Sequence, residues 1–135
     1  MLKLNNKIYS KLSYQVSFGE YQVKQNGKER LGKAPYITFI LDDFKLGLEL
    51  VYDKKWIKEL KINDKKDISK YVTDIIYNDS KGWISLIYGT YQCFLERIDN
   101  EFYLLDFYCN TIDDEEEFSI VLNEKINFIL NHEEK

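Results

Sequence analysis

Hydrophobic and polar residues alternate along much of this chain with a period of two. Phe44, Leu46, Leu48 and Leu50 are interleaved with Lys45, Gly47, Glu49 and Val51, the pattern of a strand that buries one face. Upstream, residues 12–23 are rich in Tyr, Val, Phe and Ser, with Gly19 among them, and Asn26-Gly27 follows. Asn-Gly tolerates positive φ at both central positions of a tight hairpin, so two strands are predicted here. Gly32 and Pro35 end that unit, and the β-branched and aromatic run at 36–41 forms the next strand. The strongest β signal lies at 83–88, 91–98 and 102–109, with Asp99-Asn100 as a two-residue turn between the last two. That turn pairs Ile98 with Glu101, Leu95 with Leu104 and Cys93 with Asp106, and it places Cys109 on the opposite face of the sheet from Cys93.

Two segments change the period. Asp53 is placed to cap a helix over 53–61, in which Trp56, Ile57 and Leu60 share one side while Lys54, Lys55, Lys58 and Lys61 face water. Near the C-terminus, Asp113, Asp114, Glu115, Glu116 and Glu117 precede Phe118, Val121, Leu122, Ile126, Ile129 and Leu130, which fall on one face at helical spacing. Asp113 with Glu116 matches a capping box, and acids are favoured at the positive end of a helix dipole. A helix is therefore predicted over 114–131. Residues 68–77 satisfy both periods, and their β-branched and aromatic content favours a strand. The polar runs at 63–67 and 78–82 read as loops.

The predicted fold class is α+β: a mainly antiparallel, twisted sheet, with a short helix near 53–61 and a C-terminal helix near 114–131 packed on it. A length of 135 residues fits a single domain, 1–135, and no interior stretch has linker composition. With 11 Tyr and 8 Phe the chain has enough apolar surface to offset the entropy of ordering it. No apolar run approaches the roughly 18 residues that span a bilayer, and residues 1–8 lack the apolar core of a signal peptide. A cytoplasmic protein without a membrane partner is expected.

Charge changes the picture more than composition does. Residues 1–98 hold 17 Lys and Arg against 12 Asp and Glu, whereas residues 99–135 hold 2 against 11. Gathered like charge steers oppositely charged partners.

Candidate chemistry is sparse. The lone His132 lies beside Glu133 and Glu134, no Ser sits in a nucleophile-elbow sequence, and Cys93 and Cys109 lack a basic neighbour in sequence. No catalytic residue is assigned, and the chain is read as a non-enzyme. The glycines at 19, 27, 32, 47, 82 and 89 are too scattered for a phosphate loop, and 113–117 lacks the ligand alternation of a calcium loop, so no cofactor or metal is expected. Asp42-Asp43 reads as a solvated turn. Lys54, Lys55, Lys58, Lys61, Lys65, Lys66 and Lys70 around Trp56 and Tyr71 have the composition of a nucleic-acid surface. The pI of about 5.1 and the interleaved Glu59, Asp64 and Asp67 weigh against nucleic acid as a partner. What remains is the acidic third. Asp106, Asp113, Asp114, Glu115, Glu116 and Glu117 are expected to crowd near one sheet end and face a basic protein. Trp83, which opens a strand straight after a loop, is the expected aromatic anchor.

In their order of features, residues 44–131 resemble bacterial immunity proteins of the contact-dependent growth inhibition type. Phe44-x-Leu46-x-Leu48-x-Leu50 leads through Tyr52 into Trp56-Ile57-Lys58-Glu59-Leu60; strands containing Trp83 and Phe94, the aromatic strand at 102–108 and a closing helix follow. These are patterns of residue type and not an invariant motif. The resemblance implies a cytoplasmic protein that binds a cognate toxin domain, often a nuclease, and occludes its active site. Two further classes stay open on the residues alone: a non-catalytic adaptor or regulatory module, and a small-ligand-binding protein with a pocket lined by Tyr and Asp.

Overall fold

The computed structural model describes residues 1–128. Its strands, in chain order, are β1 (Leu2–Leu4), β2 (Lys7–Tyr9), β3 (Ser13–Gln25), β4 (Lys28–Ile40), β5 (Phe44–Leu50), β6 (Lys65–Asp67), β7 (Val72–Asp79), β8 (Gly82–Ser85), β9 (Thr90–Arg97), β10 (Tyr103–Asp113) and β11 (Glu116–Ile126). One short helix, α1 (Lys54–Glu59), follows β5, and a 3-10 turn (Ser69–Tyr71) precedes β7. The strand pairings are antiparallel, so the architecture is dominated by antiparallel sheet. The chain divides into two compact units. One comprises Met1–Leu12, Leu60–Ser69 and the described residues from Tyr88 onward; the other comprises Ser13–Glu59 and Lys70–Ile87. Each contains its own sheet.

The second of these units holds a five-stranded sheet in the order β3-β4-β5-β7-β8. Asn26-Gly27 is the two-residue turn of its longest hairpin, with positive φ at both residues and Gln25 opposite Lys28. The second strand of that hairpin runs straight through Gly32 and Pro35, where its end was expected. Pro35 lies just before the stretch Tyr36–Ile40 that β5 pairs, so its missing N–H removes no bond to β5. Phe44, Leu46, Leu48 and Leu50 are all buried, as their alternation predicts. Asp53 caps α1: its carbonyl accepts the Ile57 N–H at 3.0 Å and its carboxylate accepts the Lys55 N–H at 3.2 Å. Residues 72–79 form a strand, and the polar run after them tightens to a Ser80-Lys81 turn with Asp79 opposite Gly82.

The first unit holds a six-stranded sheet in the order β2-β1-β11-β10-β9-β6. Here three sequence expectations fail, the first being the loop at 63–67, whose residues Lys65–Asp67 form strand β6 against β9. The described part of the C-terminal segment is strand β11 and not a helix; residues 129–131 of the expected helix lie outside the described residues. The buried residues are Phe118, Ile120, Leu122, Ile126 and Phe128, all of one parity, whereas Val121, assigned to the helical face, is 38% exposed. Lying between β1 and β10, β11 satisfies its backbone on both sides.

The β9–β10 register also differs from the one predicted by a two-residue turn. Arg97 faces Tyr103, Leu95 faces Leu105 and Cys93 faces Phe107. Asp99 enlarges the loop, because its carboxylate accepts the N–H groups of Glu101 and Phe102, each at 2.8 Å. A one-residue slip turns every side chain over. Cys109 therefore shares a face with Cys93, and both are fully buried. No disulfide joins them: Cys93 is opposite Phe107 while Cys109 is opposite Tyr91.

Candidate functional site

The five consecutive acids form the end of the β10–β11 hairpin. Asp114 and Glu115 are the turn, with φ of 50° and 69°, and Asp113 lies directly opposite Glu116. Thr90 of β9 pairs with Asn110, and Leu4 of β1 pairs with Ile120. The three outermost pairs of the hairpin therefore extend beyond both flanking strands. Glu115, Glu116 and Glu117 are exposed, as is Asp114, and Ile112 on the same arm is 72% exposed. None of the five carboxylates has an ion pair among the described residues.

The base of this arm is clamped. Asn5, in the β1–β2 turn, donates its backbone N–H to the Ser119 carbonyl at 2.7 Å, and its Oδ1 accepts the Ser119 N–H at 2.8 Å. Its Nδ2 donates to the Glu117 carbonyl at 3.0 Å. On the β9 side, a Cβ at Gly89 would collide with the Asn110 carbonyl and the Thr111 side chain. Only glycine lets the chain approach so closely there.

The end itself is locally unfavourable. Two non-glycine residues adopt the left-handed region, like charges stand opposite each other across the strands, and no ion pair offsets them among the described residues.

Other expected site residues are placed elsewhere. Asp106 stands seven residues back along β10, about 23 Å from Asp113 at roughly 3.3 Å per residue. It is neutralised there, accepting a hydrogen bond from Asn123 Nδ2 and pairing with Lys65 Nζ at 3.5 Å. It does not join the acids of the hairpin end. Trp83 is 66% exposed on β8, which lies at the edge of the other sheet. The aromatics once grouped with the lysines are packed on each other: Trp56 meets Tyr52 and Tyr71 at ring-centroid separations of 5.4 and 5.7 Å.

Burial, with the Asp67 and Asp106 charges, pushes the Cys93 thiol up to about 12, and burial pushes Cys109 up to about 11. Neither is a thiolate nucleophile at neutral pH. Among the described residues no three His, Cys, Asp or Glu side chains are grouped to hold a metal ion, and no helix is long and apolar enough to cross a membrane. His132 lies outside the described residues. Sequence reasoning grouped Lys55 and Lys58 with other lysines but missed their convergence with Lys28 and Arg30, which arises only where α1 meets the β3–β4 hairpin. Compared with known proteins, the chain matches no family model, no curated protein and no solved structure.

Proposed function

We propose that this chain is a non-catalytic cytoplasmic protein that binds and neutralises a cognate toxin domain by occluding it, presenting its acidic hairpin end to a basic surface of that partner. The observation that carries the reading is the set of five carboxylates, Asp113 to Glu117, without ion pairs among the described residues and held on a clamped arm. Uncompensated charge on an ordered support accelerates encounter with an oppositely charged partner and selects for it. Exposed Ile112 adds an apolar contact next to the charge, and Trp83 is a separate aromatic anchor in the other unit. The resemblance to immunity proteins supplies the class of partner.

The test is kinetic. The protein is co-expressed with the product of the adjacent upstream gene, and the pair is purified. The triple variant Glu115→Lys, Glu116→Lys, Glu117→Lys is expected to associate at least about tenfold more slowly at low salt, with the difference shrinking as salt is raised. Unchanged kinetics reject the hairpin end as the contact. Absence of any complex with a neighbouring toxin rejects the toxin reading itself.

A further inference from the structure

The unit built on β3, β4, β5, β7 and β8 carries a basic cleft that the toxin-binding reading leaves unused. Two hollows of about 460 and 360 Å³ share Arg30 and Lys55 in their walls. Lys28 lines the larger and Lys58 the smaller, and the carboxylates lining them are those of Glu29 and Asp53. The cations outnumber the acids in a chain whose formal net charge is −4, so this concavity runs against the charge of the whole.

Arg30 is held in place from two sides. Its Nε donates to Gln25 Oε1 at 3.2 Å, and its Nη2 donates to Asp53 in a salt bridge. Asp53 is 2% exposed and is held in turn by capping α1. A guanidinium has five N–H donors. With two committed, the others remain, and Nη1 has no acceptor among the described residues. The side chain is 33% exposed. An immobilised fork loses little further freedom on binding, and its plane matches two oxygens of a phosphate. The period of β4 puts Lys28 on the face that carries Arg30, and α1 supplies Lys55. No aromatic residue lines either hollow, so a nucleobase finds no stacking platform.

We infer that this cleft binds a diphosphate group, free or as the phosphate chain of a nucleotide, with the Arg30 fork on one phosphate and Lys28 and Lys55 on the other. Isotope-labelled protein titrated with inorganic pyrophosphate tests it, with sulfate at matched ionic strength and ADP as comparison ligands. Saturable shifts of the Arg30 Nε–H and of the amides around Asn26 and Lys55 are expected, with a Kd below about 1 mM. Removing Arg30 strands the buried Asp53 charge and threatens the fold, so the deciding variant is Lys28→Gln with Lys55→Gln. It is expected to keep its thermal stability and bind pyrophosphate roughly tenfold more weakly or worse. Affinity for ADP equal to that for pyrophosphate shows that phosphates alone are read. Overturning results are no saturation by about 10 mM, an equal response to sulfate, or undiminished affinity in the double variant.

Discussion

The Tyr21 hydroxyl is buried and has no hydrogen-bond partner among the described residues. Burial, with the Asp53 carboxylate nearby, pushes its ionisation up to about 12. A buried donor left unpaired costs about 1 to 3 kcal/mol, so Tyr21→Phe is expected to raise stability by about 1 kcal/mol in urea unfolding; a loss shows that the hydroxyl has a partner after all. Two exposed carboxylates act in the opposite sense. The Ser69 hydroxyl and N–H hold Asp67 below the ordinary value of 3.8, and the N–H groups of Glu101 and Phe102 do the same for Asp99. A depressed folded-state pKa means that the unfolded chain binds protons first as pH falls. The stability these groups confer is present above about pH 3.8 and is lost as pH drops through their lowered values. In Asp67→Asn with Asp99→Asn, melting temperature is expected to fall at neutral pH, and the gap from the parent is expected to close in strong acid. Parallel melting curves at all pH values exclude this linkage. None of these roles is readable from one residue in sequence, because each depends on a neighbour brought by a turn or a strand.

At the scale of elements, the C-terminal hairpin shows why helix and strand were confused. Five acids before an apolar run imitate a helix start, and Val121 with Leu122 imitates its face. The competing signal, Phe118-x-Ile120-x-Leu122 followed by Ile126 and Phe128, has the period of a strand, but Glu124 interrupts it. Position in the sheet decided the outcome, since a strand between β1 and β10 gains hydrogen bonds on both edges. The turn gave no warning either, because Asp114-Glu115 adopts a geometry that Asn-Gly favours. Asp114→Asn with Glu115→Gly is therefore expected to stabilise the hairpin by roughly 1 to 2 kcal/mol, read as an upward shift in melting temperature. By removing two charges it is also expected to slow partner association. Stabilisation without any kinetic change separates the strain from the binding role. By contrast, the β3–β4 hairpin, β5 and α1 were legible, because Asn26-Gly27, the alternation at 44–50 and the Asp53 cap are each complete within a few residues.

At the scale of the molecule, charge is divided between the units. The described residues of the unit bearing the acidic arm hold 8 Lys and Arg against 12 Asp and Glu, while the other unit holds 10 against 9. Both thiols belong to the first unit and both are fully buried on one face of its sheet. Neither is expected to react with a maleimide at neutral pH until that unit unfolds, and then both react together; labelling of one alone reveals a smaller opening around it. The sequence by itself determined the dominance of strands, the tight Asn-Gly hairpin, the capped helix and the concentration of acid near the C-terminus, because periodicity, turn chemistry and charge are properties of neighbouring residues. Tertiary structure alone decided that the acids end a hairpin and do not begin a helix, that Cys109 faces the same way as Cys93, and that Lys28 and Lys55 gather around a fixed Arg30. Those outcomes follow from register and from contacts between segments far apart in the chain, where a slip of one residue reverses a face.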